Sequence, residues 1–188
     1  MSTEWITGNR FLSLSEQQSN ATYIRNYLQP DGWTLNAIAG MLGNMETEST
    51  INPGTWENLL PYGTDADKLG CGLVGWTPAT KYTSWCTVRN YIWYDMPPAL
   101  ERLKWELANG VQFYPSEKYP MTFQEFKVSE LDPYYLALVF LANYEKPADP
   151  NQPQRGTQAE YWYQYLAGVP WKPVRRKKLP LYFYLRRI

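Results

Sequence analysis

Two acids stand two positions apart in "MLGNMETEST" (residues 41–50), surrounded by methionines, a leucine and a glycine. At about 100° per residue, counted from Ile38, Glu48 falls beside Met41 at the edge of an apolar stripe, and Glu46 falls off its other flank. Glu48 therefore belongs to the last turn of a buried helix and opens towards the loop that follows. A carboxyl partly withdrawn from water resists ionisation, and a carboxyl that keeps its proton at neutral pH can act as a general acid. The alternative is a helix-terminal glutamate that swings into solvent or caps a neighbouring amide. A second carboxyl is available from Asp65 and Asp67 in "YGTDADKLG", which are equally suited to a turn, where Asp bonds its own backbone. Glu145 is a third acid near these in chemistry, at the end of an apolar helix.

Composition removes other chemistries. The 188 residues contain no histidine, which excludes Ser-His and Cys-His nucleophilic machinery and the usual His-based zinc sites. Two cysteines, Cys71 and Cys86, are too few for a disulfide framework or a Cys-only metal site, and read as free thiols or one pair. No metal or organic cofactor is expected. Aromatic residues make up 16% of the chain, enough for either a wall that stacks sugars or an aromatic core. Net charge is zero but uneven: seven of the 18 basic residues lie in 169–188, which has no acid, so residues 1–168 carry a net −7. An acidic body argues against nucleic acid as a partner. The N-terminus lacks an apolar run, and no stretch is long enough to span a membrane, so neither a signal peptide nor a transmembrane segment is expected.

The elements that must position the acids are mostly helical. Ser13 and Glu16 form an S-x-x-E capping box ahead of Ala21, Ile24 and Leu28. Thr34 caps a second helix bearing Ala37, Ile38, Met41, Leu42 and Met45, which "INPG" (51–54) stops. Residues 55–75 carry Gly, Pro and Asp at short intervals and predict a loop or small β-hairpin. An amphipathic helix over 98–110 points Leu100, Leu103 and Leu107 inward and ends at Gly110. Thr122 and Glu125 form another capping box. Asp132 and Pro133 open a helix over 133–144 that is apolar nearly all round and is expected to be the central one. A last helix over 158–168 ends at Gly168. The fold class expected is α+β, mostly α, with a central buried helix and a small β-hairpin region. Residues 1–168 form the domain and 169–188 a basic tail.

Several of these stretches together resemble one family. "MLGNMETESTINPG", "GLVGWTPATKY", "FLANYEKPADPNQPQRGTQAEYWY" and the closing "LAG" are similar to the phage tail lysozyme domain of small podophages that infect Gram-positive bacteria, within the lytic transglycosylase and goose-type lysozyme superfamily. The likeness runs over residues 8–168. It implies a lysozyme-like fold and cleavage of the β-1,4 bond between N-acetylmuramic acid and N-acetylglucosamine in peptidoglycan. It places the catalytic glutamate on Glu48, with Ser49 orienting the acid or the helix end. It puts Gly72, Trp76 and Thr77 in the turn and floor of the cleft, and Asn143, Tyr144 and Glu145 at the helix end beside it. Relatives usually carry Gln where this chain has Gly75. Tail-knob relatives often continue into a zinc endopeptidase domain, an activity not expected of a chain without histidine.

The resemblance implies a virion tail protein that opens the Gram-positive wall at infection, made in the host cytoplasm. A lysis-stage endolysin and an inactive lysozyme-like module that binds glycan or forms a structural part of the tail are the alternatives. The basic tail suits anionic wall polymers, lipid headgroups or other tail proteins, or else docks on the acidic body. Hydrolysis with a second carboxyl and transglycosylation to a 1,6-anhydro end are both open.

Overall fold

The computed structural model describes residues 4–170. The basic tail, with every expectation attached to it, lies outside the described residues apart from its first two positions. The elements, in chain order, are α1 (Leu14–Leu28), α2 (Leu35–Ser49), α3 (Thr80–Thr87), α4 (Met96–Asn109), α5 (Phe123–Lys127), α6 (Pro133–Phe140) and α7 (Gln154–Leu166). A single π-helical turn, Leu141–Glu145, prolongs α6.

Local chemistry sets most helix ends. At α1 the Glu16 carboxylate accepts the Ser13 backbone N–H at 2.8 Å. The Arg10 guanidinium and the Ser13 amide and hydroxyl together hold that carboxyl down to about 2. The Thr34 hydroxyl accepts the Ala37 N–H at 3.1 Å and starts α2. Thr122 and Glu125 cap α5 reciprocally, and the Asp132 carboxylate accepts from Tyr134 N ahead of Pro133. Gly110 and Gly168 stop α4 and α7 with positive φ, at no steric cost for lack of a Cβ.

The core is built on α2. Residues 37–45 are all buried, and α6 and α7 pack on that run and on each other. Close approach depends on small residues. A Cβ on Gly40 would stand 2.9 Å from Leu136 Cβ, and one on Gly43 would overlap the Arg155 carbonyl oxygen. Asn44, buried between the helices, donates to the carbonyls of Gly40 and Ala137 at 3.0 Å each. Any side chain at Gly43 must push α7 away, with the overpacking cost of typically ~1–3 kcal/mol or more. Phe113, Phe123, Phe126 and Phe140 close the far side of the core.

Three expectations need correction. The 55–75 region holds no β-hairpin: among the described residues there is no strand, and two isolated bridges, Trp56 with Cys71 and Cys71 with Trp76, are all the pairing there. The turn chemistry was present, but alternating strands on either side of it were not. The loop is instead held by side chains, as when Glu57 accepts the Gly70 N–H at 2.6 Å. Second, α6 is not the surrounded helix. Tyr134, Tyr135, Leu138 and Ala142 keep part of one side open, whereas the Ala- and Gly-rich α2 is enclosed. Third, residues 80–87 form a helix that was not anticipated. Cys71 and Cys86 are free and buried, and burial pushes their thiols up to about 12 and about 11. Among the described residues no helix is long and apolar enough to cross a membrane.

Candidate active site

A cleft of about 380 Å³ opens at the C-terminal end of α2. Glu48, Val74, Gly75, Trp76, Thr77, Lys81, Gln112, Tyr144, Glu145 and Pro147 line it. The end of α2, the 70s loop, the start of α3 and the π turn after α6 therefore converge on one place.

Glu48 reaches the cleft because α2 ends there and because the chain beyond is pinned. Thr50 and Ile51 both adopt the left-handed region, turning the backbone sharply away. The cost of two such residues, of order 1–3 kcal/mol each, is offset by a dense set of bonds. Ser49 Oγ donates to Leu73 O at 2.8 Å and accepts from Asn52 N at 3.2 Å. The Asn52 amide donates to Gly8 O and Arg10 O, and Asn20 donates to Ile51 O. Ser49 is buried and acts as a tie between the end of α2 and the 70s loop, not as a cleft wall.

The surroundings of Glu48 differ from the apolar pocket expected. Its side chain is 28% exposed, and Oε1 accepts from Arg155 Nη2 at 2.6 Å. Arg155 is itself 4% exposed at the side chain. It is held by Asn44 Oδ1 at 3.1 Å and Gln152 Oε1 at 2.7 Å, so the guanidinium is fixed before it meets the carboxylate. The methionines of α2 lie on the core side. Glu48 Oε2 faces Gly75, where a Cβ would stand 3.3 Å away, and Gly75 has φ +60°. The absence of a side chain at 75 leaves that oxygen open to the cleft.

Beneath the cleft lies a second buried acid. Glu106, 1% exposed, accepts from Trp76 Nε1 at 3.0 Å, Arg102 Nε at 2.9 Å and Tyr144 Oη at 2.6 Å. Burial raises its pKa, and these donors oppose the rise. Tyr144 is pushed well up, first by burial and then by Glu106. Trp76 packs on Tyr82 with the rings tilted and their centroids 4.1 Å apart, and is 4% exposed, so it builds the floor from below and presents little face to a ligand.

The cleft brings together Glu48, Trp76, Thr77, Tyr144 and Glu145 of the residues expected from sequence. Gly72 sits behind it, where a Cβ would stand 3.0 Å from Cε3 of the Trp76 ring. Asn143 is buried away from the cleft, donating to Tyr119 O and Met121 O and accepting from Ser116. Asp65 and Asp67 are exposed in the 60s turn and are not among the cleft-lining residues; the Asp65 carbonyl closes that turn by accepting from Lys68 N and Leu69 N. Glu46 lies half-buried against α7, where its Oε2 accepts from Trp162 Nε1 at 2.8 Å; burial raises its pKa. Arg155, Glu106, Lys81 and Gln112 went unread in the sequence. Contacts 30 to 111 positions apart carry no local signal. Among the described residues no three His, Cys, Asp or Glu side chains gather as a metal site.

The chain is 51% identical over 174 residues, 92% of its length, to "Morphogenesis protein 1" of Bacillus phage B103, and it spans 46% of that relative. The family model described as phage tail lysozyme matches residues 19–166, from within α1 to the last residue of α7, and so includes every wall of the cleft. The chain therefore belongs to the phage tail lysozyme family.

Proposed function

We propose that this protein is a peptidoglycan glycosidase of the phage virion tail, cleaving the β-1,4 bond between N-acetylmuramic acid and N-acetylglucosamine, with Glu48 as the carboxyl that delivers a proton to the glycosidic oxygen. The observation that carries this reading is the placement of Glu48. It stands at the end of an enclosed helix, fixed on one oxygen by Arg155 and open on the other beside Gly75, in a cleft lined by groups that suit a sugar. Thr77 and Gln112 offer hydrogen bonds to hydroxyl and acetamido groups, and Lys81 offers a cation to a carboxylate such as the lactyl or peptide group of the muramic residue. Membership of a tail lysozyme family, and a relative named as a morphogenesis protein, support the place in the virion.

In the reaction, the proton passes to the leaving oxygen, the C1–O bond breaks, and the oxocarbenium-like centre is taken either by water or by the sugar's own 6-hydroxyl. The first outcome leaves a reducing end, the second a 1,6-anhydro end. Substituting Glu48→Gln keeps the shape and an acceptor for Arg155 but removes the transferable proton. Wall clearing should fall by about 10²–10⁴-fold while the circular-dichroism spectrum stays that of the wild type. Clearing at the wild-type rate by the folded variant would refute the reading. Wall binding without clearing by the wild type would favour an inactive glycan-binding module.

A further inference from the structure

Glu145 is the second carboxyl in the cleft, and its setting is unusual. It is the last residue of the π turn Leu141–Glu145. Such a turn adds a residue to the helical circuit and recurs at functional sites. Here it leaves Tyr144 under the floor, bonded to Glu106, and brings Glu145 into the cleft wall beside Glu48. Lys146 then turns the chain away with φ +51°. The Glu145 Oε1 atom is fully buried and has no hydrogen-bond partner among the described residues. An unpaired buried oxygen costs far more on a carboxylate than on a neutral carboxyl.

We propose that Glu48 and Glu145 work as a two-carboxyl pair holding one proton between them, with Arg155 balancing the single remaining negative charge, and that this shared proton is the one given to the glycosidic oxygen. The proposal rests on the glycosidase reading above. Glu48 touches the substrate, and Glu145 acts through it as a positioning residue that keeps the proton in the site.

The charges around Glu145 support this. Glu48 faces it from α2 and Glu106 from α4, both disfavouring a further negative charge, and Arg155 faces it from α7 with the opposite effect. Lys81 lines the same cleft from α3. Lys146, its chain neighbour, lies over the Tyr114 ring with its ammonium turned to Gln112 O. Burial comes first among the causes that push the Glu145 carboxyl well above the ordinary range, and the Glu48 charge comes second. The Glu48 and Glu145 carboxyls line one cleft, so a proton held there belongs to the pair. The step balances. The pair loses its proton to the leaving oxygen as C1–O breaks, and the water that adds hydroxide to C1 returns a proton to the pair; in transglycosylation the 6-hydroxyl returns it.

The test is the pH profile of muropeptide release from purified walls, pH 4 to 9, for wild type and Glu145→Gln. Without Glu145 the site has nowhere but Glu48 to keep the proton, opposite a guanidinium. The alkaline limb of the variant should move down by at least about one pH unit, a loss of about tenfold or more at neutral pH, and lowering the pH should restore the rate. A profile that superimposes on the wild type, or a loss equal at every pH, would overturn the proposal, the latter being what simple damage to the wall of the cleft produces. A second readout needs no activity: carboxyl ¹³C shifts of protein labelled at Glu Cδ. A Glu145 resonance that titrates above the usual range and moves down in Glu48→Gln is expected. Titration in the ordinary range, or no response to Glu48→Gln, would sink the pair even if the wild type proves inactive on walls, a result that by itself sinks the glycosidase reading.

Discussion

Glu106 holds the cleft floor to the fold, and Glu106→Ala shows how much. The wild-type carboxylate serves three buried donors: Trp76 Nε1 at 3.0 Å, Arg102 Nε at 2.9 Å and Tyr144 Oη at 2.6 Å. Removing it strands two neutral donors, each costing ~1–3 kcal/mol when left unpaired. It also strands a guanidinium 8% exposed at the side chain, for which breaking a buried pair costs ~3–5 kcal/mol. These do not add. Arg102 keeps the face of Trp105 at 4.4 Å and of Trp85 at 5.6 Å, and Tyr144 and Trp76 share the space that opens. The expected loss is therefore just below the low end of the sum, about 4 kcal/mol. For a chain of this size that is a fall in Tm of about 8–16 °C. Glu106→Gln should cost about half as much, because an amide oxygen still accepts from Trp76 and Arg102 while the tyrosine hydroxyl can turn to accept from the amide nitrogen. Urea denaturation and thermal melts of both variants measure this, and clearing rates at a temperature where each is folded report the floor's part in catalysis. A loss below about 1 kcal/mol for Glu106→Ala would refute the claim that this acid anchors the floor.

Gly75→Ala should lower both stability and activity: φ +60° costs a Cβ-bearing residue about 1–2 kcal/mol, and the added methyl would meet Glu48 Oε2 at 3.3 Å. A several-fold fall in wall clearing is expected, and an unchanged rate would show that Oε2 does not meet substrate from that side. Glu46→Gln should leave clearing unchanged and cost no more than about 1 kcal/mol, since an amide oxygen can still accept from Trp162. A loss of activity like that of Glu48→Gln would mean that the two acids have been assigned to the wrong roles. Stability should also report on Glu145. Its folded carboxyl is raised above the unfolded value near 4.3, so the unfolded chain gives up this proton first as pH rises. The contribution of Glu145 is then whole below about pH 4 and lost progressively above it. Denaturation from pH 4 to 9 should show Glu145→Gln gaining on the wild type as pH rises; a constant difference would place an ordinary carboxyl there.

The readable parts of this chain were those whose causes lie within one helical turn. Ser13 with Glu16, Thr34 with Ala37, Thr122 with Glu125 and Asp132 before Pro133 are local bonds, and the helices begin where they do. The position of Glu48 at the end of an enclosed helix followed from periodicity. Its neighbour did not, because Arg155 arrives from 107 positions away and nothing in "PQRGTQ" distinguishes a buried arginine from a solvated one. Hydropathy also misranked the helices. The Leu, Val and Phe of α6 looked more central than the Ala and Gly of α2, yet small residues are what allow α6 and α7 to close on α2. The 55–75 loop misled for a related reason: its glycines and aspartates do turn the chain, but side-chain bonds from Ser49 and Glu57 replace the strand pairing.

Mass spectrometry of the fragments released from purified Gram-positive walls, by wild type and by Glu48→Gln side by side, tests the central claim most directly. Disaccharide-peptides bearing muramic acid at the newly cut end, released by the wild type and reduced at least about a hundredfold in the variant, are the predicted result. The end group, reducing or 1,6-anhydro, would then distinguish water from the internal hydroxyl. Fragments cut within the peptide stems, or equal release by the two proteins, would contradict a glycosidase built on Glu48.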